Sequence, residues 1–201
     1  RLPRARVIVI LGKTASGKDT VTSRLLTIFP GIKKILTATS RLPRTGEKNG
    51  VDYNFISKEV FKQKISAGDF IEYVEYGGNL YGTEKSQIIK VLDSDVIWRI
   101  DPSRAGQAKE FISKSFDKNT AEGLLKRLLV IYLTVDDTVV LKRLKNRNLS
   151  KEEIEKRMKE DAVFWQEFKG NYDFVVENVP GKLDETVNQI SALIETRKDK
   201  Y

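Results

Sequence analysis

A glycine-rich stretch near the start of the chain, GKTASGKDT at residues 12–20, has the residue types and spacing of a phosphate-binding loop. In the pattern G-x-x-x-x-G-K-[ST], backbone N–H groups cradle phosphates, the lysine reaches the β- and γ-phosphates, and the last hydroxyl holds Mg²⁺. Gly12, Gly17 and Lys18 fit the pattern, whereas Asp19 stands at the hydroxyl position. We therefore expect a nucleoside triphosphate site with an altered metal ligand.

The setting of this stretch favours a binding role over a structural glycine turn. It directly follows the apolar run VIVIL and opens a predicted helix. In that setting, consecutive N–H groups and a helix N-terminus converge on a phosphate. The residues expected to contact the triphosphate are Gly12, Thr14, Ala15, Ser16, Gly17, Lys18, Asp19 and Thr20.

The composition removes several kinds of chemistry. The chain has 201 residues, no histidine and no cysteine. Without histidine there is no histidine general base, no Ser-His-Asp triad and no His-ligated zinc. Without cysteine there is no disulfide and no thiolate metal site. The remaining mechanisms rely on carboxylates, cations, hydroxyl groups and a hard metal ion.

The net charge is positive, with 36 Lys and Arg against 28 Asp and Glu, or +8. Such an excess favours a polyanionic partner, but charge alone does not choose among nucleotide, nucleic acid and acidic membrane. We see no basic stripe interleaved with aromatic residues, so a nucleic-acid partner is not expected. The apolar run VIVIL has five residues, too few for a signal core or a membrane span. We expect a cytoplasmic protein with no membrane segment.

Short apolar runs alternate with helical patterns, which predicts one α/β domain of three layers with a parallel sheet. Strands are predicted at 7–11, 35–39, 96–100, 128–133 and 174–176. Helices are predicted at 17–29, 57–67, 84–92, 103–116, 136–147, 151–169 and 183–197. Ser150 and Glu153 have the spacing of a capping box ahead of the sixth of these helices.

Two segments interrupt this alternation. Residues 41–83 contain DYNFI and DFIEYVEYGGNLYGT, which predict short antiparallel strands around a helix, inserted into the α/β core. Residues 143–160 are dense in Arg, Lys and Glu and predict a solvated helical flap.

Four further motifs occur in order: TATSRLPRTGEKNGVDYNF, FIEYVEYGGNLYGT, LKRLKNRNLSKEEIEKRM and YDFVVEN. At these residues the chain closely resembles the guanylate kinase family of nucleoside monophosphate kinases, from Val7 to about Ile194. The resemblance implies a single domain over residues 1–201. Its parts would be a P-loop NTPase-type core at 6–36, 84–142 and 161–197, an NMP-binding segment at 37–83 and a helical lid at 143–160.

The resemblance implies Mg²⁺-dependent transfer of a phosphoryl group from ATP to GMP or dGMP. The GMP phosphate would be bound by Arg41, Arg44, Tyr53 and Tyr81, with Asp101 nearby, and guanine by Thr37, Glu72 and Thr83. Transfer would be assisted by Lys18, Arg143, Arg147 and Arg157, and Asn178 lies near where the family contacts adenine. Guanine chemistry supports Glu72, because a carboxylate can accept both the ring N–H and the exocyclic amino group. A site built for such hydrogen bonds strongly rejects an unmatched analogue.

Two residues at the metal position depart from the family pattern. The family has Ser or Thr at Asp19, and an acidic residue where VIWRID places Arg99. In one reading, Asp19 coordinates Mg²⁺ directly and Arg99 compensates its charge. In the other, Asp19 and Arg99 pair with each other, leaving a nucleotide-binding or inactive relative. Thr20 does not replace the hydroxyl, since adjacent helix residues point about 100° apart. We favour the first reading, because the other predicted site residues are retained.

Two alternative functions stay open. Ser103-Arg104 replaces the family's Gln-Gly, and extra residues precede Leu128, so the acceptor could be another phosphorylated compound. A partner-binding module that has lost catalysis is the second alternative. The intact Gly12, Gly17 and Lys18 argue against it.

Overall fold

The computed structural model describes residues 6–76, 78–89, 94–100 and 102–196. Five strands form its central sheet: β1 (Val7–Gly12), β2 (Lys33–Lys34), β7 (Val96–Trp98), β8 (Leu128–Thr134) and β9 (Phe174–Glu177). They are all parallel, in the order β2-β7-β1-β8-β9. β1 is buried along its whole length between β7 and β8, which accounts for its unbroken apolar sequence.

The helices packed on this sheet are α1 (Lys18–Ile28), α5 (Ala108–Ser115), α6 (Lys118–Arg127) and α9 (Leu183–Thr196). Successive side chains of β1 belong to two different apolar clusters. Val9 shares one cluster with Ile112 of α5. Ile8 shares the other with Leu25 of α1 and Ile190 of α9. Because strand side chains alternate between faces, the two clusters lie on opposite sides of the sheet. The predicted three-layer α/β fold is confirmed.

A second, smaller sheet is inserted between β2 and β7. Its strands are β3 (Ala38–Thr39), β4 (Asn54–Phe55), β5 (Phe70–Tyr76) and β6 (Asn79–Glu84), in the order β4-β3-β6-β5. The pairs β3–β6 and β5–β6 are antiparallel, as predicted, and the short pair β3–β4 is parallel. Helix α2 (Lys58–Ser66) covers this sheet through Phe61, whose ring stacks on Phe70 at 4.3 Å between centroids.

Two helices follow β8: α7 (Asp137–Lys145) and α8 (Lys151–Phe168). Ser150 caps α8, because its hydroxyl accepts the backbone N–H of Glu153 at 3.1 Å. Val140 of α7 and Ile154 of α8 are buried in one cluster with Ala15 of the glycine-rich loop. The two helices therefore pack directly against that loop.

Two predicted elements differ in the structure. The strand predicted at 35–39 is only partly present: β2 ends at Lys34 in the central sheet, residues 35–37 form no strand, and β3 (Ala38–Thr39) belongs to the small sheet. The helix predicted at 103–116 is divided into α4 (Pro102–Ala105) and α5 at Gly106. Phe168 packs so closely there that a Cβ on Gly106 would lie 2.4 Å from its side chain. Tertiary packing thus overrides local helical pattern.

Helix α6 was not predicted, although Asp117 supplies a sequence signal for its start. The Asp117 carboxylate accepts the backbone N–H groups of Asn119 and Thr120, each at 3.1 Å. The helix predicted at 84–92 is α3 (Lys85–Ile89), and its predicted last residues lie outside the described ranges. Among the described residues, no helix has the length and apolar character needed to cross a bilayer.

Candidate active site

The glycine-rich loop connects β1 to α1 at the carboxyl end of the central sheet, where α/β folds commonly bind ligands. Gly17 precedes the first turn of α1 with φ 88°, a left-handed conformation that favours glycine. A Cβ on Gly12 would lie 2.4 Å from the backbone oxygen of Leu133 in β8, so this position has no room for a side chain. Both glycines are thus required by the shape of the loop.

Two predicted nucleotide contacts hold the loop from outside. A guanidinium nitrogen of Arg143 on α7 donates to the backbone oxygen of Ala15 at 2.6 Å. The side-chain amide of Asn178 donates to the backbone oxygen of Ser16 at 2.8 Å, and Thr186 of α9 donates to Asn178 at 3.1 Å. Thr186 fixes the orientation of that amide and was not predicted.

Two cavities border the loop. One, of about 260 Å³, brings together Lys18, Asp19, Thr37, Tyr53, Glu72 and Tyr81 from the predicted set. The other, of about 330 Å³, brings together Ala15, Gly17, Thr20, Arg143, Arg147 and Asn178. The predicted triphosphate and monophosphate residues therefore flank the same loop, as a reaction between two nucleotides requires.

Glu72 and Thr83 form a buried polar pair in the small sheet. The Thr83 hydroxyl donates to Glu72 Oε1 at 2.7 Å, and the indole N–H of Trp98 on β7 donates to the Thr83 oxygen at 3.0 Å. Glu72 is only 6% exposed, so its carboxylate is held in a largely buried position in the lining of the first cavity. Trp98 was not predicted. It connects this pair to the central sheet.

Arg41 is held by Glu47, which was not among the predicted site residues although it lies in the same motif. The guanidinium donates to both carboxylate oxygens at 2.8 and 2.9 Å, and Glu47 also accepts the backbone N–H of Arg44 at 2.7 Å. The hydrogen bonds from Arg41 lower the pKa of Glu47 to about 2. Arg41 lies 5.6 Å from the ring centre of Tyr53. Its charge is therefore anchored beside the first cavity.

Asp19 and Arg99 form an ion pair at the N-terminus of α1. A guanidinium nitrogen of Arg99 lies 2.7 Å from Asp19 Oδ1, and both residues line the first cavity. Lys34 is nearby, and its pKa is lowered by burial and by the charge of Arg99, with Asp52 and Asp19 acting in the opposite direction. The pairing that the second interpretation of the sequence predicted is therefore present in the structure.

Asp161 of α8 contacts the loop and was not predicted. Its carboxylate accepts the backbone N–H of Thr14 at 2.8 Å. Burial raises the pKa of Asp161, while the Thr14 N–H and the charges of Lys18 and Lys13 act to lower it. An acidic side chain thus lies close to the lysines of the loop.

Some predicted residues lie apart from the two cavities. Arg157 pairs with Glu153 one turn earlier on α8, at 2.8 Å, and Arg44 is exposed. Within the described ranges, the lining of neither cavity includes Arg44 or Arg157, and Arg41 and Thr83 contact lining residues without lining a cavity themselves. Asp101 lies outside the described residues. The roles of these residues stay predictions, as do the roles of the predicted residues that line the cavities.

The donor set at Asp19 fits a magnesium ion that arrives with a nucleotide. Across the described part of the chain, no group of three or more acidic side chains could hold a metal by itself. Mg²⁺ is commonly bound by one or two carboxylates together with substrate phosphates and water. Asp19 offers one carboxylate directly beside Lys18, which suits such a shared site.

A lysine-bearing loop that borders two cavities on a parallel α/β core is the arrangement of P-loop enzymes that act on two nucleotides. Comparison with known proteins narrows this class. The sequence profile of the guanylate kinase family matches residues 4–197. The chain belongs to the guanylate kinase family.

Individual relatives agree with this assignment. A guanylate kinase of Fusobacterium nucleatum is 33% identical over 189 residues, covering 93% of this chain and 94% of the relative. A guanylate kinase of Clostridioides difficile is 34% identical over 203 aligned positions, covering 96% and 89%. The crystal structure of guanylate kinase from Anaplasma phagocytophilum matches with a TM-score of 0.68 at 24% identity, covering 98% of this chain and 88% of that one. This last likeness supports the fold.

Proposed function

We propose that this protein transfers the γ-phosphoryl group of ATP to GMP, giving ADP and GDP. The observation that carries the proposal is the cavity that joins Lys18 of the phosphate-binding loop to Glu72, Tyr53 and Tyr81 of the small sheet. The loop would hold the donor, and the small sheet would hold the acceptor. As a working division, residues 37–83 form the NMP-binding segment and residues 143–160 the lid.

Glu72 is the proposed guanine-reading residue. Its buried carboxylate would accept the ring N–H and the exocyclic amino group of guanine, with Thr83 and Thr37 beside it. Thr83 already donates to one carboxylate oxygen, so the carboxylate is oriented before the base arrives. Adenine has a bare acceptor where guanine has the ring N–H, so the carboxylate would lose this hydrogen bond from the base, at a large cost in affinity.

The GMP phosphate would be bound by Arg41 and Arg44 and by the hydroxyl groups of Tyr53 and Tyr81. Arg41 uses part of its guanidinium for Glu47, and its remaining N–H groups can donate to phosphate. Asp101 is proposed near the same phosphate.

The reaction needs no general base, because the attacking group is already an anionic phosphate oxygen. This oxygen forms a bond to the γ-phosphorus, the bond to the bridging oxygen breaks, and the electron pair leaves with ADP. Catalysis then consists of alignment and charge neutralisation. Lys18 would contact the β- and γ-phosphates, and they would be approached by Arg143 of α7, Arg157 of α8 and Arg147 in the segment between these helices.

Mg²⁺ is the proposed cofactor, and Asp19 is the residue proposed to hold it, with Thr20 nearby in the first turn of α1. When bound, the ion would neutralise the β- and γ-phosphate charges. Asn178 is proposed to border the adenine of ATP, since it lines the second cavity. For a protein acting on free nucleotides, we propose a cytoplasmic location, which cell fractionation can test.

A coupled assay for ADP release tests the proposal. With GMP, ATP and Mg²⁺ we expect turnover, lower rates with AMP and ribose phosphates than with GMP and dGMP, and a strong decrease without Mg²⁺. No turnover above background, with the protein folded, would reject the enzymatic proposal.

The Asp19–Arg99 pair favours one second candidate, a nucleotide-binding protein without turnover, because the pair occupies the carboxylate proposed for Mg²⁺. Calorimetry separates the two. Binding of ATP and GMP together with no ADP release would support this second candidate.

A further inference from the structure

Arg99 lines the cavity proposed to join the two nucleotides, yet the mechanism above gives it no role. It directly follows β7, whose neighbour in the sheet is β1, the strand that leads into the phosphate-binding loop. It also lines the same cavity as Lys18 and Tyr81. Its side chain therefore borders the cavity that the donor loop and the proposed acceptor residues share.

The bond that now holds Arg99 is a weak one. The side chains of Arg99 and Asp19 are 48% and 68% exposed, although the N–O distance is only 2.7 Å. Ion pairs at such exposure contribute little to stability because water solvates both partners. A phosphate offers several oxygens and more charge than a carboxylate, and the planar fork of arginine matches it well. An entering phosphate can therefore displace Asp19 from Arg99.

The surroundings of Arg99 also favour a polyanion. Burial lowers the pKa of Lys34, and the positive charge of Arg99 lowers it further. The two cations therefore repel each other, and Lys18 adds a third cation to the same region. An anionic group that enters here reduces this repulsion, which adds to the gain from direct hydrogen bonds.

We propose that Arg99 is a substrate-binding residue that exchanges the Asp19 carboxylate for the γ-phosphate of the bound triphosphate. This inference rests on the proposed function, since it adds a contact at the same site. In this proposal, Arg99 and Asp19 are paired before the nucleotide binds, and nucleotide binding releases Asp19. The two sequence readings of Asp19 describe successive states of one site.

Calorimetry on the full chain in buffer containing EDTA tests the exchange without any metal. We expect Arg99→Gln to weaken ATP binding about tenfold, because a charge-assisted hydrogen bond is lost, and to change ADP binding by less than about twofold. Arg99→Lys keeps the charge, and its affinity for ATP is expected to lie between those of the wild type and Arg99→Gln. The matched control is Arg24→Gln, since Arg24 pairs with Asp184 at 3.0 Å with side chains 51% and 77% exposed. This control is expected to bind both nucleotides like the wild type.

A second variant tests the direction in which ATP affinity changes, which an ion pair with a merely structural role does not predict. Asp19→Asn removes the competing charge, so metal-free ATP binding is expected to tighten about threefold, opposite to Arg99→Gln. The proposal is overturned if Arg99→Gln binds ATP within about twofold of wild type, or if both variants change affinity in the same direction. It is also overturned if wild-type protein binds no ATP without metal. ADP release by the wild type in the coupled assay would show that the proposed function survives that failure.

Discussion

The Asp161 carboxylate of α8 accepts the backbone N–H of Thr14 at 2.8 Å, so helix α8 contacts the phosphate-binding loop through an acidic side chain. Burial raises the pKa of this carboxyl group above its ordinary value of 3.8. The folded state therefore keeps the proton to higher pH than the unfolded state. Stability is lost as pH rises from about 4 through the folded-state pKa, and the ionised carboxylate destabilises the protein at neutral pH.

We expect Asp161→Asn to raise the melting temperature at pH 7, because the amide oxygen can still accept the Thr14 N–H without a buried charge. The increase should shrink as pH falls toward about 4, where wild-type Asp161 becomes protonated. Thermal unfolding at several pH values measures this. Glu167→Gln is the control and should change little, because Glu167 is exposed on α8 and its charge is not among those that shift the pKa of Asp161. A lower melting temperature for Asp161→Asn at pH 7 would contradict the assignment.

Replacement of Glu72 tests how guanine is read. We expect Glu72→Gln to lower kcat/KM for GMP by about 10³-fold, because the amide cannot accept two hydrogen bonds from the base edge. Steady-state kinetics with GMP and AMP measure the change, and the ratio of kcat/KM for GMP to kcat/KM for AMP should fall. Glu75→Gln is a control on the same strand, since Glu75 is exposed and paired with Lys58. An equal loss for both substrates would instead indicate misfolding of the small sheet.

The Glu47 carboxylate gives a separate prediction about acceptor binding. It holds Arg41 through two hydrogen bonds, with the guanidinium 5.6 Å from the ring centre of Tyr53, which lines the first cavity. We expect Glu47→Ala to raise KM for GMP about tenfold while kcat changes by less than about threefold, because orientation of a charged contact is lost. A lower KM would mean that Glu47 competes with GMP for Arg41. Initial rates over a range of GMP concentrations decide between these outcomes.

The glycines of the chain allow a paired test of backbone geometry. Gly12→Ala places a Cβ 2.4 Å from the backbone oxygen of Leu133, so β8 or the loop must move. We expect a loss of about 2 kcal/mol or more in the free energy of unfolding, together with weaker ATP binding. Gly123→Ala on α6 meets no atom within 4 Å and should stabilise the protein by about 0.5–1 kcal/mol. Urea unfolding of both variants measures these changes, and equal effects would refute the argument.

The sequence predicted the central architecture because its signals are local. The apolar run of β1, the glycines of the loop and the Ser150 cap each act within a few residues of the chain. The break between β2 and β3 was missed because residues 35–37 have strand-forming composition, and only the separation of the two sheets shows that they lie between strands.

The contacts around the candidate site were harder to predict. Asp161 and Thr14 are 147 residues apart, and Trp98 and Thr83 belong to different sheets. Nothing in the residue types alone pairs them. The Asp19–Arg99 pair was predicted as one of two interpretations. The family has Ser or Thr at position 19 and an acidic residue at position 99, so this chain carries two new charges of opposite sign at the proposed metal position.

The end of β7 carries a consequence for how the two substrates bind. Trp98 donates to Thr83 in the proposed guanine site, and the next residue, Arg99, donates to Asp19 at the proposed phosphate site. A shift of this single peptide unit on GMP binding would therefore be transmitted to the donor side. Thermodynamic linkage requires ATP to change the affinity for GMP by the same factor as GMP changes the affinity for ATP. We expect positive cooperativity between the binding of the two nucleotides, transmitted through the two-residue segment Trp98-Arg99.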